Sequence, residues 1–64
     1  MARLWTESEL SSIATEAATA TPAERRRLFH TLTSNPPDNL CSQAVQAGWL
    51  RACNYVGSLP MALP

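Results

Sequence analysis

Two thiols, one imidazole and five carboxylates are the groups this chain offers for covalent or acid–base chemistry. Cys41 and Cys53 are the candidate nucleophiles, and His30 is the only imidazole. A thiol–imidazole pair needs a third group to orient the base and an oxyanion site opposite the nucleophile. The spacing of these residues supports neither. Two Cys and one His also fall short of the four ligands a structural zinc ion takes. Placed on one helix, the two Cys lie about 18 Å apart at 1.5 Å per residue. A disulfide needs Cα atoms within about 7 Å, so they read as two reduced thiols. Glu7 and Glu9 stand close together, but the first helix cap is a sufficient reason for them. The chain therefore reads as no enzyme, with no cofactor, no metal and no small-molecule substrate.

The remaining charge run is Arg25-Arg26-Arg27. Such a run can neutralise phosphates. Consecutive helix positions turn by roughly 100° each, however, so the three cannot all address one backbone. They also fall at a helix N-terminus, the end that repels cations. Five Arg and no Lys balance four Glu and one Asp. A neutral chain lacks the basic footing of most nucleic-acid binders. No apolar run is long enough to span a membrane, and no signal peptide is visible, so a cytoplasmic setting is expected.

The elements that must position these groups are announced by three start signals. They are Thr6-Glu7-Ser8-Glu9, Thr21-Pro22-Ala23-Glu24 and Asn35-Pro36-Pro37-Asp38. Each has a short polar cap residue and a carboxylate three places on, the pattern of a reciprocal capping box. The second and third also place Pro at the first helical position, where its missing N–H costs nothing. Trp5 before the first cap and Leu10 within the helix form a hydrophobic staple. The expected fold is all-α: a small three-helix domain with short connections. Its helices cover about residues 7–19, 22–33 and 37–55, and an irregular apolar tail covers 57–64. Gly57 is the expected stop for the third helix. A chain of 64 residues is one small domain with marginal stability unless packing or a partner helps.

Helical periodicity assigns Trp5, Leu10, Ile13, Leu28, Phe29, Leu32, Leu40, Val45, Trp49 and Val56 to the core. Beyond Ile13 the first helix buries only alanine, so a neighbour can approach closely there. Arg25 falls on the same stripe as Leu28, Phe29 and Leu32. Three readings stand for it. Its stem lies along the core edge with the head in water; it pairs with Glu9 or Glu16; or that end of the stripe faces a partner.

The third helix has an outer face of Gln43, Gln46, Leu50 and Asn54, with Arg51 as its only charge. An uncharged exterior with a leucine is unusual for a solvated helix. The tail Ser58-Leu59-Pro60-Met61-Ala62-Leu63-Pro64 is apolar and uncharged in its side chains. It either folds back on the bundle or docks elsewhere. The sequence thus favours a non-catalytic protein–protein interaction module. It would be a small regulator or inhibitor binding a larger protein or a second copy of itself, through Gln43, Gln46, Leu50, Asn54, Leu59, Met61 and Leu63. The alternative is a small helix-turn-helix-like DNA-binding regulator, with Arg25, Arg26, Arg27 and Arg51 as nucleic-acid contacts.

The segment from Pro22 to Trp49 is similar in flavour to the F-box. The resemblance rests on Pro22, Glu24, Leu28-Phe29 and Leu32, then Val45 four before Trp49. Arg25 and Arg26 stand where that family is apolar. The Leu-Phe pair comes one residue early, and the gap from Leu32 to Val45 is two too long. The family's function is not carried over.

Overall fold

The computed structural model describes residues 1–61, and these form three helices: α1 (Glu7–Thr19), α2 (Pro22–Thr33) and α3 (Gln43–Ser58). Both α1 and α2 begin where the sequence places them. At α1, Thr6 Oγ1 accepts from the Glu9 backbone N–H at 3.1 Å, and Glu9 Oε1 accepts from the Thr6 N–H at 3.1 Å. Arg3 donates to the other Glu9 oxygen at 2.7 Å while its guanidinium covers the Trp5 ring at 3.9 Å. The Arg3 guanidinium holds the Glu9 carboxyl below its usual range. The start of α2 is half a box. Thr21 Oγ1 accepts from the Glu24 N–H at 3.2 Å, but Glu24 spends its carboxylate on Arg27 at 2.8 Å.

The third start signal opens no helix. A residue before proline is pushed out of the α region. Asn35 and Pro36 both stand in that position, so this stretch is extended. It pairs with the N-terminal segment: the Arg3 N–H donates to the Pro36 carbonyl and the Asp38 N–H to the Arg3 carbonyl, both at 2.9 Å. Asp38 then closes a turn. Its carboxylate accepts from the Leu40 N–H at 2.9 Å, and its carbonyl accepts from the Cys41 N–H at 2.9 Å. Leu40, expected in the core, is thereby left on that turn and is 84% exposed. The true cap is Ser42, whose Oγ accepts from the Val45 N–H at 3.2 Å. The helix therefore starts at Gln43, six residues later than expected at residue 37.

It also ends later. Gly57 lies inside α3, and no described residue has positive φ. Gly57 is needed for closeness rather than for a turn: a Cβ there would sit 3.1 Å from Cε1 of Phe29. The core is Trp5, Leu10, Ala17, Leu32, Val45, Ala52 and Val56, with Ile13, Leu28, Phe29 and Trp49 half-buried against it. Ala17 is fully buried, as expected of a close-packed alanine face.

With no left-handed residue to close them, the helix C-termini use the next backbone N–H groups (Ala20 to Ala17, Ser34 to His30, Leu59 to Val56) and recruit further donors from side chains. At α1 the donor is Arg25. Its Nε donates to the Ala17 carbonyl at 2.7 Å and its Nη2 to the Ala18 carbonyl at 3.1 Å. Its Nη1 donates to the Pro60 carbonyl at 3.0 Å. None of the three expected readings of Arg25 included this capping of a neighbouring helix. At the end of α2, Trp49 Nε1 donates to the Leu32 carbonyl at 2.9 Å, and Asn35 Nδ2 to the Thr31 carbonyl at 2.7 Å. Trp5 Nε1 donates to the Asn35 carbonyl at 2.6 Å.

Replacing Arg25 by Ala should destabilise the fold by about 2 kcal/mol, since hydrogen bonds from a charged donor are lost and half-buried carbonyls are stranded. Arg25→Met, which keeps the stem but not the fork, should lose most of the same amount in urea denaturation. A Met variant as stable as the parent would mean that the stem, not the capping, matters.

Candidate functional site

The exposed side of α3 is the candidate site. Gln43, Gln46, Leu50 and Asn54 are all exposed, and Leu50 is 58% so. The helix QAVQAGWLRACNYVGS carries one ionised residue, Arg51, so its outer surface offers water mostly amides, small residues and Leu50. Tyr55 adds a second exposed apolar body at 44%. Gln46 is partly occupied at home, because its Nε2 donates to the Cys41 carbonyl at 3.1 Å.

The tail folds back as far as residue 61, where the described residues end. Leu59 and Met61 are half-buried against the core, and Arg25 holds the Pro60 carbonyl between them. Much of the apolar surface expected to be available at these two residues is therefore spent within the chain. Leu63 lies outside the described residues.

Beside the outer face, α1 and α3 leave an open groove of about 240 Å³. Glu7, Leu10, Ser11 and Ala14 line it from α1, and Gly48, Arg51, Ala52 and Tyr55 from α3. That is smaller than most small-molecule pockets, which run from about 300 Å³ upward. Its floor is made by small residues where the two helices approach. Sequence reasoning missed this groove, although Gly48 and Ala52 one turn apart on α3, facing Ala14 on α1, were the available signal.

The arginines do not form one cationic face. Arg25 is engaged with carbonyls, Arg27 pairs with Glu24 at 2.8 Å, and Arg51 lies on α3 beside the groove. Arg26 is exposed and also makes an interaction of its own. The link between α2 and α3 runs from Ser34 to Ser42, longer than the three- or four-residue turn of a helix-turn-helix.

Nothing gathers the candidate nucleophiles. His30 is exposed on the last turn of α2, with Ser34 Oγ at 3.4 Å from its ring. Cys41 precedes α3 and contacts the Arg3 carbonyl at 3.6 Å, so the helical spacing expected between the two Cys does not apply. Both thiols are free. Cys53 is half-buried, and burial pushes its thiol above the ordinary range. Among the described residues, no group of three His, Cys, Asp or Glu side chains is placed to hold a metal ion. No described helix is long and apolar enough to cross a membrane. Compared with known proteins, the chain matches no family model, no curated protein and no solved structure.

Two outcomes follow from this geometry. A Cβ at Gly48 would meet Leu10 Cδ1 at 3.5 Å, an ordinary contact. Gly48→Ala should therefore stabilise α3 by about 0.5–1 kcal/mol through helix propensity while narrowing the groove. An unchanged or lowered urea midpoint would refute that. The raised Cys53 pKa means less thiolate at a given pH. Iodoacetamide should label Cys53 more slowly in the folded chain than in the urea-unfolded chain, by a margin that shrinks as pH rises.

Proposed function

We propose that this chain is a non-catalytic protein–protein interaction module of the cytoplasm, acting as a small regulator or inhibitor through the exterior of α3. The observation that carries this reading is the exposed stripe on a rigid helix whose only ionised residue is Arg51. A solvated helix ordinarily carries charge on its outer face. Exposed apolar groups rimmed by amides suit a contact that excludes water at its centre and hydrogen-bonds at its edge. In this reading Leu50 supplies the buried centre and Gln43, Gln46 and Asn54 the rim. Leu59, Met61 and Leu63 add apolar contacts to the partner in this reading, and Leu59 and Met61 also pack against the core. The nucleic-acid reading draws no support from the arginines, whose directions diverge.

The test is Leu50→Glu. The folded chain, immobilised, should retain a protein from a lysate of its native cells in high salt, and Leu50→Glu should lose it while keeping its circular dichroism spectrum. Identical retention by both would place the contact elsewhere. Complexes with DNA that weaken steeply with salt would instead favour the nucleic-acid alternative.

A further inference from the structure

Two opposite charges line the groove between α1 and α3 without partners among the described residues. They are Arg51 and Glu7, and they do not pair with each other. Other arginines differ: Arg3 and Arg27 are paired with Glu9 and Glu24, and Arg25 is spent on carbonyls. Both charges stand at one end of the groove. The Arg51 Nη2 lies 3.7 Å from where a Cβ on Gly48 would be, and Leu10 Cδ1 lies 3.5 Å from the same point. The guanidinium thus turns back to the level of Leu10. Glu7 comes one helical turn before Leu10 on α1. The rest of the groove is apolar. Ala14 and Ala52 line it, and Tyr55 stands at the far end, where it borders Thr15, Ala18 and Thr19 in the later half of α1.

We propose that this groove binds a free α-amino acid with an apolar side chain, its carboxylate on Arg51 and its ammonium on Glu7. The proposal goes beyond the interaction reading of the α3 exterior and does not depend on it. Charge complementarity selects the ligand class. An anion alone would meet the Glu7 carboxylate, and a cation alone the Arg51 guanidinium. A group carrying both signs side by side satisfies the two together. An α-amino acid carries both on one carbon, which leaves its side chain to run along Ala14 and Ala52 toward Tyr55. A peptide terminus has one of these charges, and an internal peptide segment has neither. Size agrees. An apolar cavity of about 150 Å³ takes a benzene ring, so a groove of about 240 Å³ takes a leucine or phenylalanine side chain with its α-carbon. Gly48 leaves the space beside the guanidinium free, where a Cβ would sit 3.7 Å from Nη2. The ligand is held and not converted. One side of the groove is open to water, so the affinity is modest, with Kd on the order of 1 mM.

Titration of the full chain, labelled with nitrogen-15, with L-leucine and L-phenylalanine near neutral pH tests this. Saturable shifts should appear at the amides of Leu10, Ser11, Gly48 and Ala52, with Kd on the order of 1 mM. Glycine, with the same head and no side chain, should bind about tenfold or more weakly, because it covers none of the apolar floor. N-acetyl-leucine and leucinamide each lack one charge and should bind about fivefold or more weakly than leucine. Arg51→Gln and Glu7→Gln should each weaken leucine by a similar factor. The amide spectra of the two variants show directly whether they remain folded. Absence of saturable shifts with both amino acids overturns the proposal and leaves Arg51 and Glu7 as solvated charges. Leucinamide or N-acetyl-leucine binding as tightly as leucine overturns the paired-charge recognition. Folded variants that bind like the parent, or shifts that map away from the groove, overturn the site.

Discussion

One guanidinium joins the ends of three helices. Arg25 rises from the first turn of α2, caps the last carbonyls of α1, and holds the backbone just beyond α3. The demand it meets is general: a helix leaves its final carbonyls without partners, and a left-handed residue is the usual local remedy. No described residue of this chain takes that conformation. The helices run out into extended or helical backbone, so local cap N–H groups are supplemented by donors from elsewhere in the chain. Trp49 does for α2 what Arg25 does for α1, beside the local donor Asn35. For α1 and α2, completing the helix end is thus partly the same event as packing it against another helix. With seven buried hydrophobic residues among those described, the core is small, and that coupling adds to what ties the helices together.

This division between local and distant causes explains what the sequence could disclose. Helices α1 and α2 begin at caps whose logic is complete within four residues, and Thr6 and Thr21 were legible for that reason. The ends of these helices were legible too, from propensity and spacing. The third start failed because two local rules competed. The pattern of Asn35, Pro36 and Asp38 suits a cap, but each of two consecutive prolines forbids the helical region to the residue before it. The extended stretch that results is then held by Arg3, more than thirty residues upstream. Gly57 was misread in the same way: its smallness serves the Phe29 ring, which no inspection of neighbouring residues reveals. Arg25 stood out on its stripe, but the carbonyls that explain it belong to backbone and leave no mark in the sequence.

The candidate site was more legible than the groove beside it. A stripe of exposed positions without charge is a property of one helix, so Gln43, Leu50 and Asn54 could be found from periodicity alone. The groove is a property of two helices and depends on how closely α1 meets α3 at Ala14, Gly48 and Ala52. The tail fell between these cases. Its apolar composition said that it would be covered, and the fold supplies the cover for Leu59 and Met61. What remains uncovered is Leu50 and Tyr55 on α3, together with Met1, Leu4 and Leu40 in the N-terminal segment and the turn before α3.

Among the described residues, Arg25 reaches main-chain oxygens alone, at Ala17, Ala18 and Pro60. A carbonyl is supplied by every residue type, so the acceptors of this clamp are indifferent to which side chains stand at their positions. The donor has no such latitude, since no other side chain carries a planar fork with five N–H groups. Mutation can therefore wander at positions 18 and 60 without loosening the clamp, whereas position 25 tolerates almost nothing. In a set of diverged sequences sharing this fold, the residue that binds the three helices together would stand as an isolated invariant, with no covarying partner to reveal what it holds.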